Sequence, residues 1–182
     1  MGATEASAAT RRHTLVAGLE DRPGVLNRVV SMFRRRAFNI VSLNVGRTHE
    51  PGLSRLTVTV EADDHRARLL AANLRKLVEV LYVEDVTEAG AVVRDMALIK
   101  VEAPAEQRAE LLRVCEVFRA RVVDLTEGSL VLEATGDPAK IDGLLAVLRP
   151  FGITEMVQSG AMAMTRGASR EAEKLGSLTA AA

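Results

Sequence analysis

Polar and apolar positions alternate over residues 13–19, where Leu15, Ala17 and Leu19 share one side and Val16 lends the other some apolar character, the period-two pattern of a strand. Asp21-Arg22-Pro23-Gly24 is turn chemistry. Leu26, Val29, Val30 and Phe33 then recur at i, i+3, i+4 and i+7, the spacing of one helix face, and Arg34-Arg35-Arg36 closes that helix where cations complement the carbonyl end. Residues 39–46 read as a second strand rich in Ile, Val and Leu, and Thr48-His49-Glu50-Pro51-Gly52 as a turn. Leu56, Val58 and Val60 alternate with Thr57, Thr59 and Glu61 in a third strand; Leu69, Leu70, Leu74 and Leu77 mark a second helix; residues 80–86 form a fourth strand. The order is β-α-β-β-α-β, the ferredoxin-like unit.

Near Arg94 the order begins again. Residues 96–101 read as a strand, and Pro104 stands where a helix can begin because its missing N–H needs no partner there. Leu111, Leu112, Cys115 and Phe118 form a helical stripe. Residues 121–125 and 130–134 read as strands joined around Glu127-Gly128, and Asp137-Pro138 as a cap with a first-turn proline. Ile141, Leu144, Leu145 and Leu148 give the next helix, and residues 153–157 a final strand. The predicted class is α+β, with two ferredoxin-like modules. The expected division is a disordered leader at 1–11, a first module at 12–88, a second at 94–166, and a frayed or disordered tail at 167–182. Helices on one face of a four-stranded sheet leave strand edges that call for a partner, including a second copy of the chain.

Composition narrows the chemistry. Of 182 residues, 48% are hydrophobic and 26% charged, as in soluble globular proteins. Lys plus Arg and Asp plus Glu each number 24, so no net field draws the chain to nucleic acid or an anionic membrane. Aromatics are 3%, which disfavours a base-stacking surface even though one RNA-binding module shares this element order. Arg34-Arg35-Arg36 accordingly reads as a solvated helix end. A single cysteine, Cys115, excludes an internal disulfide and fits a small buried side chain. No apolar run reaches the ~18 residues of a membrane span, and the first ten residues lack the basic start and apolar centre of a signal peptide, so a cytoplasmic address is the default expectation.

Catalytic signatures are missing from the pattern. His13, His49 and His65 are not at metal-ligand spacing, and no phosphate loop, serine elbow or cysteine–base pair stands out. Asp63-Asp64 fits helix capping better than paired acid–base work. No catalytic residue, metal ligand or cofactor-binding residue is therefore expected in this chain. Residues 20–26, Glu20-Asp21-Arg22-Pro23-Gly24-Val25-Leu26, are more informative. A helix N-terminus offers unpaired N–H groups suited to a carboxylate, Gly24 admits a ligand close to the backbone, and Asp21 could accept an ammonium group. On the residues alone, a plain cap and turn is the favoured reading.

Leu19-Glu20-Asp21-Arg22-Pro23-Gly24-Val25-Leu26 resembles the ligand loop of ACT domains, small amino-acid-sensing modules. Phe38-Asn39-Ile40-Val41-Ser42-Leu43-Asn44-Val45, Leu53-Ser54-Arg55-Leu56-Thr57 and Leu77-Val78-Glu79-Val80-Leu81 resemble the small-subunit family of acetolactate synthase. So do Arg94-Asp95-Met96-Ala97-Leu98-Ile99-Lys100-Val101, Phe118-Arg119-Ala120-Arg121-Val122-Val123-Asp124 and Ser159-Gly160, and the similarity runs over about residues 12–166. The resemblance implies a non-catalytic regulatory subunit. Such a subunit binds the large catalytic subunit, which carries thiamine diphosphate, Mg and FAD. It raises that subunit's activity and confers feedback inhibition by valine or a related branched-chain amino acid. It further implies a homodimer through the ACT domains, with the effector across the interface. Asp21, Pro23, Gly24, Val25 and Leu26 would come from one chain, and Asn39 and Ile40 from the other. Family members often carry Asn where this chain has Asp21, and a small Gly where it has Ala37; Ala103-Pro104-Ala105-Glu106 replaces the Pro-Gly loop in the second module. A different class of role on the same fold is a stand-alone amino-acid sensor acting on a transcription or transport partner.

Overall fold

The computed structural model describes residues 9–167 and divides into two compact units. The first runs to Val92 and takes the chain up again from Ala163; the second is Val93–Met162. The leader before residue 9 and the tail after 167 lie outside the described residues.

In the first unit the elements are β1 (Arg11–Glu20), α1 (Val25–Arg35), β2 (Ile40–Arg47), β3 (Leu53–Ala62), α2 (Asp64–Leu74) and β4 (Val80–Asp85). The sheet order is β2-β3-β1-β4, every neighbour antiparallel. Leu15 stands opposite Val58, and Ala17 opposite Leu56 and Val83. These residues share one buried cluster with Val25, Val29 and Phe33 of α1 and Leu70 and Leu74 of α2, so both helices cover the same side of the sheet. β1 starts two residues earlier than its alternation suggests, inside the expected leader, because Arg11 and Arg12 pair in register with Ala62 and Glu61.

The helices turn differently from the sequence expectation. α1 buries Val25, Val29, Met32 and Phe33, leaving Leu26 and Val30 at 40% and 39% exposure. α2 buries Ala67, Leu70, Ala71 and Leu74, while Leu69 faces out. Apolar residues cover more than one row of each helix, and a stripe of about 100° leaves the choice of row to the packing.

α1 ends in a Schellman-type turn in which Phe38 N–H donates to the Phe33 carbonyl at 3.1 Å. Ala37 occupies the left-handed position of that turn, with φ 53°. A Cβ there costs about 1–2 kcal/mol, and glycine returns part of this through unfolded-state entropy. Ala37→Gly is therefore expected to stabilise the chain by up to about 1 kcal/mol in urea unfolding. A variant less stable than the parent would show that the turn is not held this way.

The second unit repeats the plan with β5 (Val92–Glu102), α3 (Arg108–Phe118), β6 (Arg121–Leu125), β7 (Ser129–Gly136), α4 (Pro138–Leu148), a 3-10 turn (Arg149–Phe151) and β8 (Ile153–Gln158), in sheet order β6-β7-β5-β8. Its core gathers Ala97, Ile99 and Val101 with Leu111, Cys115, Leu132, Ile141, Leu144 and Leu148. Cys115 is 4% exposed, and burial pushes its thiol pKa up. Asp137 caps α4, its carboxylate accepting from Lys140 N–H at 2.8 Å. Pro104 opens a turn rather than α3: its carbonyl accepts from Gln107 N–H, and the helix begins at Arg108.

A short strand, β9 (Met162–Met164), ends the described chain and was not apparent in the pattern of the sequence. Residues 163–166, read from sequence as the end of the second module, pack with the first unit instead. The Ala163 carbonyl accepts from Arg55 Nε and Nη2 at 3.3 and 3.0 Å, and its N–H donates to Thr57 Oγ1 at 3.4 Å. These bonds lie on the sheet face away from the helices, where Arg55 Nη1 also donates to the Tyr82 hydroxyl at 3.2 Å. Gly18 faces Tyr82 in register, and a Cβ at Gly18 would stand 2.2 Å from the ring, so the tyrosine lies across the glycine.

Candidate functional site

The loop between β1 and α1 is held from both sides by backbone bonds. Glu20 N–H donates to the Glu79 carbonyl at 3.0 Å and Asp21 N–H to the Gly52 carbonyl at 2.8 Å. Arg28 of α1 pairs with Glu79, fixing the helix to the start of β4. Gly24 is the N-cap of α1, with φ 86°, and no side chain caps the helix. The Leu26 and Asn27 N–H groups have no acceptor among the described residues. Nothing stands within 4 Å of where a Cβ on Gly24 would be. Open space, free N–H donors and the positive end of the helix dipole together suit a carboxylate.

Asp21, Pro23 and Gly24 are exposed around this opening, Val25 turns into the core, and Leu26 with Val30 forms an exposed apolar row beside it. Arg47, at the end of β2, brings its Nε to 3.8 Å from the Asp21 carboxylate. Sequence reasoning missed Arg47 and the Gly52 carbonyl, because both arrive through the β2–β3 turn, about 26 to 31 positions further along the chain. Asp21 thus already has a cationic neighbour. Both side chains are largely in water, and an exposed pair of this kind contributes about 0–1 kcal/mol, so an ammonium group can displace the arginine.

Asn39 and Ile40 lie elsewhere. Ile40 opens β2 and packs its side chain against the core cluster; Asn39 precedes it and is exposed. They follow the C-terminal end of α1, whereas Gly24 is at its N-terminal end. Eleven helical residues span roughly 16 Å at ~1.5 Å each. One chain therefore does not bring the two groups of residues together. β2 is at the edge of its sheet, with one side unpaired within the unit.

Other polar clusters offer less. His13 is buried without a hydrogen bond to either ring nitrogen, with Asp64 at 3.4 Å and Asp85 at 3.9 Å; His49 and His65 are exposed. No group of three His, Cys, Asp or Glu among the described residues is placed to hold a metal ion. No helix among them is long and apolar enough to cross a membrane.

Comparison with known proteins identifies the family. Residues 16–82 match a family described as the AHAS small subunit-like ACT domain, and residues 94–167 one described as the small subunit of acetolactate synthase. The acetolactate synthase small subunit of Mycolicibacterium smegmatis is 45% identical over 158 residues, 87% of this chain and 93% of that protein. A probable acetolactate synthase small subunit of Archaeoglobus fulgidus is 43% identical over 156 residues, 86% of this chain and 98% of that one. The crystal structure of the acetolactate synthase small subunit of Thermotoga maritima superposes with a TM-score of 0.80 at 34% identity, covering 87% of this chain and 99% of that one. The chain belongs to the acetolactate synthase small-subunit family, and its first unit is an ACT domain.

Proposed function

We propose that this chain is the regulatory subunit of acetolactate synthase: it binds the large catalytic subunit, raises its activity, and lets valine or a related branched-chain amino acid lower it again. It contributes no catalytic group. Thiamine diphosphate, Mg and FAD belong in this reading to the large subunit. The observation that carries it is the separation of the two halves of the candidate site at opposite ends of α1, with an unpaired edge strand beside them.

Two copies of β2 paired edge to edge, antiparallel and in full overlap, would set residue 40 of one copy against residue 47 of the other. Arg47 already lies beside Asp21. Asn39 and Ile40 of a second copy would therefore arrive over the Gly24 opening, closing a pocket that one chain leaves half built. The effector carboxylate would take the Leu26 and Asn27 N–H groups. Its ammonium group would meet Asp21 and the amide of Asn39, and its side chain would lie against Leu26 and Ile40. Such an apolar wall separates one methylene by only about 1–3 kcal/mol, so valine, leucine and isoleucine would overlap as effectors. The effector shifts the dimer only through its difference in affinity between two pairings, and activity follows that shift.

The test is acetolactate formation by the matching large subunit, with and without this chain, across a valine titration. The expected result is a higher rate on adding the chain and a fall as valine rises. Activation without valine inhibition would keep the subunit role and move the effector to another amino acid. Neither effect, with folded components, would leave the stand-alone sensor as the better account.

A further inference from the structure

A second recess runs along the helices of the first unit. Met32, Arg35 and Arg36 from α1, and Asn73, Lys76 and Leu77 at the end of α2, line a groove of about 400 Å³. Among the described residues no carboxylate pairs with Arg35, Arg36 or Lys76. Arg75 is engaged elsewhere, donating to the Val83 carbonyl at 2.9 Å.

One cation at a helix C-terminus is enough to complement its dipole. Three cations without a carboxylate partner around one groove also repel one another, an arrangement that an acidic partner relieves. The groove floor is apolar, from Met32 and Leu77, and the adjoining Val78 is 88% exposed. The two helices run antiparallel, Arg66 at the start of α2 reaching the Ala37 carbonyl past the end of α1, so their dipoles oppose each other and favour no small anion between them. Long cationic side chains reaching outward over an apolar floor suit instead a protein segment with carboxylates at its margins and an apolar centre. The groove offers no exposed ring for stacking: Phe33 is buried and the Phe38 ring lies under Arg66.

We propose that this groove is where the chain meets an acidic, apolar-centred segment of the large catalytic subunit. The inference rests on the family reading above and adds the surface that makes the contact. The groove's α1 residues lie in and just past the last turn of that helix, away from Gly24 at the helix start.

The experiment compares the full chain with Arg35→Glu/Arg36→Glu/Lys76→Glu, with Arg35→Gln/Arg36→Gln/Lys76→Gln, and with Arg113→Glu as an exposed control on the second unit. Affinity for the large subunit is measured at low and at high salt, and valine binding to the isolated chain by calorimetry. The glutamate variant is expected to weaken the complex by about 30-fold or more, the glutamine variant by less, and both to flatten its salt dependence. Valine binding and the Arg113→Glu control should match the parent. Parent-like affinity in the folded glutamate variant would overturn the groove and leave the family reading standing. A parent chain that does not bind the large subunit at all would instead overturn the regulatory-subunit reading, and the groove with it. Single-stranded RNA binding lost in the glutamate variant, with large-subunit affinity unmoved, would reassign the groove to nucleic acid.

Discussion

Replacing Gly24 by aspartate is expected to abolish amino-acid inhibition while leaving the chain folded and able to activate the large subunit. The new Cβ has open space around it, so the change does not act through a clash. The backbone at Gly24 is left-handed, which costs most L-residues about 1–2 kcal/mol but is tolerated better by aspartate. A side-chain cap of the usual kind needs an extended N-cap, so the aspartate sits over the free N–H groups without completing a normal cap. It therefore occupies the place proposed for the effector carboxylate and repels it. Hydrogen bonds to a charged group contribute about 1.5–3 kcal/mol, so the loss should exceed tenfold in valine affinity and approach a hundredfold. Gly24→Ala carries the backbone cost without the charge and should lose much less. Valine titration of the reconstituted synthase and calorimetry on the isolated chain both read the effect. Half-inhibition within about threefold of the parent would place the carboxylate elsewhere.

The largest expected loss of stability is at Phe33, which is 1% exposed and the bulkiest fully buried side chain. Its ring meets Phe38 edge to face, with centroids 6.4 Å apart and planes at 75°. Truncation to alanine removes that contact and leaves a cavity between α1 and the sheet, a change that typically costs about 3–5 kcal/mol. In a unit of this size each kcal/mol moves the midpoint by about 4–8 °C, so Phe33→Ala should lower the Tm of the first unit by roughly 12 °C or more. Leu112→Ala, at an exposed position on α3, is the comparison and should shift little. A fall of under about 4 °C for Phe33→Ala would mean that the ring is not the keystone of this core.

The element order and the strand alternation could be read from the chain because antiparallel strands with one buried face carry a period of two, and the turns are marked by Pro-Gly and Glu-Gly. Helix faces were less legible. Val25, Leu26, Val29, Val30 and Met32 form a continuous apolar surface, and only packing decides that Val25 and Met32 turn in while Leu26 and Val30 stay partly out. That difference matters for the site, since it leaves Leu26 free to meet a ligand. Gly24 and Asp21 were visible as loop chemistry, but Arg47 was not, because it reaches Asp21 only through the antiparallel pairing of β2 and β3. Ala163 was invisible for a stronger reason. Its partners Arg55 and Thr57 are more than 100 positions away, and a three-residue strand carries no period.

The return of Ala163 to Arg55 and Thr57 has a consequence during synthesis. A module that closes on a segment emerging later cannot finish folding when its own last strand leaves the ribosome. Here 70 residues, Val93–Met162, intervene between Val92 and Ala163. At ~5–20 residues per second, the first unit waits roughly 4–14 s with its Arg55 guanidinium still lacking the Ala163 carbonyl. The N-terminal half is thus the first to be made and among the last to be complete, and a nascent chain stalled near residue 92 exposes a sheet face whose final hydrogen bonds have yet to be translated.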